Sequence, residues 1–284
     1  MKNFVIYVTV LVLIIIISCS RNNITDPTEN NFIYPIKIGN KWEYVREYSI
    51  FNFRPDTLYK TQIIDTTLID TVQIEIIRKQ IILDSIQTFV FYESFIENGQ
   101  VIEAESYYNN LDDGLYEYAY KGISWVLPKT NIKGKILFKG KYFNNIKEVM
   151  SYFERSLLKS INVFEDSLIL EIPPLLSIKY PLEVGSQWIY RGPGNPWAIN
   201  KNVIDREIIK VAAGEFNCFK IQWLFDIDNN DEWDDDIIFY DYVSTKGLIK
   251  RYAFIKDMIW IGEDGLEIGM FDSKDEYILS KINL

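Results

Sequence analysis

Seven acids fall within eleven residues in Asp226-Ile227-Asp228-Asn229-Asn230-Asp231-Glu232-Trp233-Asp234-Asp235-Asp236, the densest group of reactive side chains in the sequence. Hard cations such as Ca²⁺ collect carboxylate and amide oxygens from short loops, so this run is a candidate calcium loop. Counted from Asp226, oxygen donors stand at loop positions 1, 3, 5 and 9 through Asp226, Asp228, Asn230 and Asp234. The sixth position, where an EF-hand turn needs glycine, is Asp231, and the twelfth, where a bidentate glutamate belongs, is Ile237. That excludes a standard EF-hand and leaves two readings: a looser Ca²⁺ site at those four residues, or a solvated hairpin tip. No other cofactor is expected.

Other chemistry is limited by what the chain lacks. It has no histidine, which removes Ser-His-Asp and Cys-His catalysis and every His-containing zinc or non-haem iron site. Catalysis would have to rest on carboxylates, Lys, Tyr or Ser, and no acid pair stands out among the 40 acids as a glycosidase pair would. The expectation is therefore a non-enzymatic protein with no catalytic residue. Cys218 lies in the strand-like Phe216-Asn217-Cys218-Phe219-Lys220-Ile221, without a base or helix start to activate it, and reads as a structural thiol. Trp197 comes after the Gly/Pro-rich Arg191-Gly192-Pro193-Gly194-Asn195-Pro196. If that loop is exposed, the indole could stack on a sugar; otherwise it packs at a sheet edge.

The first 19 residues carry an address. Met1-Lys2-Asn3 is a short positive start, and Phe4 to Ile17 is a 14-residue apolar run, an export-signal length too short to span a bilayer as a helix. Its ending, Ile16-Ile17-Ser18-Cys19, resembles the lipobox of bacterial lipoproteins. That resemblance implies cleavage before Cys19, acylation of Cys19 (palmitate among the acyl chains), and anchoring without a spanning segment. The alternatives are an ordinary secretory signal and an uncleaved membrane segment. Ser20 in place of an aspartate favours the outer membrane over the inner one. The expected layout is a signal peptide over 1–18, a lipidated cysteine and flexible tether over 19–31, and two β modules over 32–170 and 171–284.

Loss of residues 1–18 removes one lysine and leaves 29 basic against 40 acidic side chains, a net charge of −11. Such a surface repels phosphate backbones, so nucleic acid is not an expected partner. Aromatic residues make up 15% of the chain, and these suit pleated, half-buried surfaces.

The elements themselves are organised around a repeat. Tyr34-Pro35-Ile36-Lys37-Ile38-Gly39-Asn40-Lys41-Trp42-Glu43-Tyr44 returns 146 residues later as Tyr180-Pro181-Leu182-Glu183-Val184-Gly185-Ser186-Gln187-Trp188-Ile189-Tyr190. Pro fixes the entry, Gly allows a turn with positive φ, and Trp-x-Tyr starts a strand with both rings on one face. The structural reading makes Pro35, Gly39, Trp42 and Tyr44, with Pro181, Gly185, Trp188 and Tyr190, an opening turn whose tryptophan is core; the other reading is a paired aromatic ligand platform. Each opener precedes alternating strand-like runs, with a hairpin signal at Asn98-Gly99 in the first half and turns through Ala213-Gly214 and Asp264-Gly265 in the second. Only Ile146 to Ile161 has helical periodicity, and Pro173-Pro174 reads as a stiff linker into the second module. The fold class is therefore mainly β: two tandem antiparallel modules, curved sheet or half-barrel in type, with one short helix near the seam.

The second opener, the stretch Ala213-Gly214-Glu215-Phe216-Asn217-Cys218-Phe219-Lys220-Ile221 and Gly247-Leu248-Ile249-Lys250 resemble, in that order, uncharacterised exported β-rich envelope proteins related to the lipoprotein-carrier half-barrel. The resemblance covers roughly residues 178–255, and 34–120 more loosely, since the first half lacks the Gly-x-Phe-x-Cys stretch. It implies a curved antiparallel sheet closed by a helix over an apolar cavity. The expected function is a membrane-anchored envelope lipoprotein that binds an apolar ligand or another envelope component. The alternative is a carbohydrate-binding or adhesive surface lipoprotein, with a glycan as partner, and a carboxylate-dependent hydrolase comes third.

Overall fold

Alternation of buried and exposed side chains runs through most of the chain: on one strand Trp42, Tyr44, Arg46 and Tyr48 point inward while Lys41, Glu43, Val45 and Glu47 do not. Period-two burial of this kind builds antiparallel sheet with one solvated face. The structure, a computed structural model, describes residues 32–56, 65–97, 100–122, 133–146, 148–149, 168–194 and 197–284. The expected export signal, Cys19 and the tether lie outside the described residues.

The strands are β1 (Lys41–Pro55), β2 (Thr66–Ile82), β3 (Ile86–Glu97), β4 (Gln100–Leu111), β5 (Gly114–Gly122), β6 (Lys135–Phe138) and β7 (Lys141–Phe143). They continue as β8 (Ile169–Lys179), β9 (Gln187–Arg191), β10 (Ala198–Val211), β11 (Gly214–Asp226), β12 (Ile237–Ser244), β13 (Gly247–Ile261) and β14 (Glu267–Asn283). Twelve of them form one path, β8-β5-β4-β3-β2-β1-β14-β13-β12-β11-β10-β9, with the β6–β7 hairpin joined to β13 beside it. All pairings are antiparallel.

The two expected modules are thus joined in a single sheet, and Phe32–Leu284 forms one compact unit. The joint is a long one, because β1 pairs with the C-terminal β14 from Lys41↔Asn283 to Pro55↔Gly269. At the other end of the path β8 and β9 approach each other, so the sheet is curled into a nearly closed barrel.

Both openers adopt the same turn. Gly39 and Gly185 have φ of 91° and 92°. The amide of each donates to the partner strand, at Ile76 O and Val203 O, both at 2.8 Å. The carbonyls of Asn40 and Ser186 accept in return from those same two residues, both at 2.9 Å. Trp42 and Trp188 then enter the interior, 1% and 7% exposed. Burying side chains of this size contributes roughly 1.5–3 kcal/mol each. The openers also touch: the Tyr34 amide donates to Tyr180 Oη at 2.9 Å, across the repeat spacing of 146 residues. Tyr180 Oη donates to Asn110 Oδ1 at 2.7 Å, and Asn110 Nδ2 donates back to the Tyr34 carbonyl at 2.9 Å.

Gly247 shows why the Gly-Leu strand starts as it does. It has φ of +105°, and a Cβ there would meet the Trp42 indole nitrogen at 2.7 Å. Trp42 Nε1 donates at 2.7 Å to the carbonyl of Lys246, one residue earlier.

Two expectations are corrected. Pro173-Pro174 is not a linker but part of β8, which spans the expected boundary at 170/171 and pairs with β5. The pair sits where the β5–β8 register slips between Glu117 and Ala119, on a strand at the end of the path. Proline is tolerated there because an end strand has no second ladder to donate to. Second, no helix stands as an element among the described residues. Of the expected span Ile146 to Ile161, only Ile146, Glu148 and Val149 are described; they form a helical turn capped by Asn145, whose Oδ1 accepts from the Glu148 amide at 2.9 Å. The remainder lies outside the described residues, as does the Asn98-Gly99 turn, which β3 and β4 flank with Glu97 opposite Gln100.

Candidate functional site

A cavity of about 180 Å³ lies in the barrel interior, and all twelve strands of the path contribute to its wall. From the first opener and β1 come Tyr34, Trp42 and Tyr44; β3 to β5 add Phe91, Glu93, Ser106, Tyr108, Leu115, Glu117 and Tyr120. Across the lumen stand Glu171 and Ser177 of β8, Tyr190 of β9, Lys201 of β10, Trp223 of β11, Asp241 of β12, Leu248 and Arg251 of β13, and Tyr277 of β14. The cavity volume is below the ~300 Å³ at which drug-sized pockets begin.

The wall mixes aromatic and charged side chains with the aliphatic Ile74, Leu115, Ile178, Val243 and Leu248. Glu117, Glu171, Lys201 and Asp241 are all buried. Asp241 accepts from Arg251 at 2.7 and 3.0 Å and from Trp223 Nε1 at 3.0 Å. Glu171 stands 3.6 Å from the buried Arg191 guanidinium, and Tyr190 Oη donates to Glu117 at 3.3 Å. The Lys201 ammonium donates to the Ser177 carbonyl at 3.0 Å and lies 3.6 Å from the Trp223 ring centre and 4.0 Å from that of Tyr190. Buried charges persist only when paired or hydrogen-bonded, and each of these is. Burial pushes the Tyr34 phenol up to about 12 and Tyr44 well above its ordinary value, so both are neutral donors and acceptors.

The opener residues divide between frame and wall. Trp42, Tyr44 and Tyr190 face the cavity, whereas Trp188 plugs the approach of β9 to β8, donating to the Leu176 carbonyl at 2.9 Å. Pro35, Gly39, Pro181 and Gly185 belong to the turns at the strand entries.

The residues singled out for calcium lie elsewhere. Asp226 accepts from the Asn230 and Asp231 amides at 3.0 and 3.2 Å, and Asn230 Nδ2 donates to Asp228 at 3.1 Å. Asp234 accepts from the Ile227 amide at 2.9 Å and meets the Lys139 ammonium at 2.7 Å, with Asp236 at 2.9 Å from the same ammonium. Burial pulls Lys139 down, but its bonds to the two aspartates outweigh it and hold the ammonium protonated. Among the described residues no three or more acidic or thiol side chains are grouped to hold a metal ion. Trp197, open to a reading as an exposed stacking platform, is fully buried at 0% exposure. Cys218 is buried, its thiol pushed up to about 12 by burial and by Glu207, as befits a structural residue.

The luminal charges escaped the sequence reading because single acids and bases in alternating strands look like the solvated face. The signal was parity. Glu117 shares a face with Leu115, and Asp241 with Phe239 and Val243, so each occupies an inward position.

No protein-family model matches the chain, and no curated protein matches it. It is similar to two solved structures. One is a protein described as exported, with a YmcC-like fold, from Bacteroides fragilis: 11% identity, TM-score 0.37, covering 89% of this chain and 99% of that one. The other is described as a lipoprotein from Parabacteroides distasonis: 13% identity, TM-score 0.33, covering 89% of this chain and 98% of that one.

Proposed function

We propose that this chain is a non-enzymatic lipoprotein of the cell envelope, held by acyl chains on Cys19, whose barrel interior binds one small polar molecule. The lipobox-like ending at Cys19 supports the anchor, and Ser20 supports the outer membrane. The observation that carries the binding reading is the cavity itself: about 180 Å³, with Glu117, Glu171, Lys201 and Asp241 buried in its wall. An acyl chain does not suit a space of this size. This replaces the apolar ligand expected from the half-barrel resemblance.

Cys19→Ala tests both parts. The variant should leave the membrane fraction, and native mass spectrometry of the released protein should show no co-purified lipid. Retention in the envelope would overturn the anchor, and stoichiometric non-covalent lipid would overturn the polar ligand.

A further inference from the structure

The end of the barrel that carries the two openers also carries aliphatic side chains that take no part in the core. Ile33, Ile38, Leu111 and Val184 are 58%, 49%, 44% and 54% exposed. All four stand within a few residues of Tyr34, Asn110 and Tyr180, whose hydrogen bonds tie the openers together. Single exposed aliphatics are ordinary on any surface. Here, however, Ile38 and Val184 are equivalent positions of the repeat, 146 residues apart. At the other aliphatic pair of the motif Leu182 is buried and Ile36 packs against the core, so folding accounts for those two. It does not account for an aliphatic residue kept in solvent on both turns.

The opposite end of the barrel differs in charge. Exposed apolar side chains occur there too, at Ile96, Trp233 and Leu266, but among acids. The β11–β12 loop at that end holds seven acids against Lys139, and Glu263, Asp264 and Glu267 surround the β13–β14 turn. Around the openers acids and bases balance: Lys37 offsets Glu183, Lys210 pairs with Glu215 at 2.9 Å, and Lys179 and Lys246 offset Asp112 and Asp113. Anionic head groups repel the acidic end and not the opener end.

Chain length points the same way. Phe32, where the folded body begins, is at the opener end, its ring 6.0 Å from that of Tyr180. Residues 20–31, between it and Cys19, reach at most about 40 Å when fully extended. β13 runs from the opener end to the acidic end over 15 residues, about 50 Å at ~3.3 Å per residue. At the strand tilt of a barrel that is roughly 40 Å of height. Turning the acidic end to the bilayer would stretch the tether to its limit, whereas the opener end reaches it at any extension.

We propose that the opener end docks on the bilayer that holds Cys19, with Ile33, Ile38, Leu111 and Val184 set among the head groups and the acidic loop turned away. This rests on the anchor read at Cys19 and adds the surface that meets the membrane. Four side chains hold less than one acyl chain, itself a marginal anchor. Docking therefore orients a body that lipid already retains, in keeping with release of the Cys19→Ala variant.

The test uses the acylated full chain in vesicles of phosphatidylcholine and phosphatidylglycerol. Val184→Cys and, separately, Asp235→Cys are labelled with an environment-sensitive fluorophore; Cys218 is buried and stays unlabelled. Lipids bearing a quencher near the head group should quench the probe at position 184 roughly threefold or more over that at 235. Combining Ile33→Ser, Ile38→Ser and Leu111→Ser should cut quenching at 184 about twofold or more. The thermal midpoint should hold within a few degrees, because all three residues are exposed. Equal quenching at both positions, or more at 235, overturns the proposal, as does quenching at 184 that the triple variant leaves unchanged. Quenching at neither position, in a chain whose mass shows its acyl groups, overturns the docking alone. A chain without acyl groups overturns the anchor and the docking together.

Discussion

The barrel has two places where its halves meet, and they are built differently. At one, β1 and β14, of 15 and 17 residues, zip together over a ladder interrupted by only two register shifts. At the other, β8 and β9, of 11 and 5 residues, form no ladder and are linked by side chains, Trp188 Nε1 to the Leu176 carbonyl and Arg191 to Glu171, with Lys201 Nζ of β10 donating to the Ser177 carbonyl beside them. The same opening turn starts β1 and β9, but the two strands run on differently. After Tyr44 the chain continues Val45-Arg46-Glu47-Tyr48, whereas after Tyr190 it runs into Gly192-Pro193-Gly194, and proline cannot donate to a ladder. On the facing strand Pro173 and Pro174 likewise offer no amide. A duplicated turn fixes where a strand starts; the residues after it decide whether a seam is sealed.

Inside the sealed seam lies the largest single dependency. Arg46, 1% exposed, donates from Nε and Nη2 to both oxygens of Asp275 at 2.9 and 2.7 Å. Burial pulls the guanidinium down, but Asp275 and Tyr277 more than restore it. Asp275→Asn leaves a buried cation without its carboxylate and should cost about 3–5 kcal/mol, read as a lower urea midpoint at unchanged slope. A loss below about 1 kcal/mol would mean that the backbone ladder alone holds this seam.

A smaller effect should appear at high pH, again on the sealed side. Burial raises the phenols of Tyr44 and Tyr48, both on β1, above their ordinary value of 10.0, and that of Tyr34 to about 12. The native state keeps these protons where the unfolded chain releases them. Stability is therefore complete below pH 10 and is lost as pH rises from 10 towards 12. Tyrosinate absorbance should rise together with loss of β-structure, and Tyr34→Phe should move that transition to higher pH. Titration of all 19 tyrosines below the unfolding transition would overturn this account.

Much of this frame was legible in the sequence. Five identities at constant spacing marked both turns, and Gly39 and Gly185 take the positive φ that the motif required. The sealed seam was not legible, because β1 and β14 are separated by nearly the whole chain and neither strand's pattern names its partner. Pro173-Pro174 misled because proline reads locally as a stop, whereas an end strand tolerates it. The cavity wall was hidden for a related reason. Glu117 and Lys201 look solvated until the barrel curls and turns their faces inward.

The smallest expected effect bears most directly on the difference between the seams. Trp42 and Trp188 occupy matching positions and each donates one indole hydrogen bond to a backbone carbonyl, at Lys246 and Leu176. Trp42→Phe and Trp188→Phe should therefore cost similar amounts globally, about 1 kcal/mol each. Their local consequences should differ. With Trp42 changed, β1 and β14 remain zipped by their ladder, and their amides should exchange with solvent only through global unfolding. With Trp188 changed, β9 keeps its short pairing with β10 and the Arg191–Glu171 contact, but its indole bridge to β8 is gone. Amides of β9 should then exchange through a local opening well below the global free energy. Native-state hydrogen exchange of the two variants reads this directly. Protection that falls equally at both seams, or only at β1, would show that side chains and ladder close the barrel to the same degree.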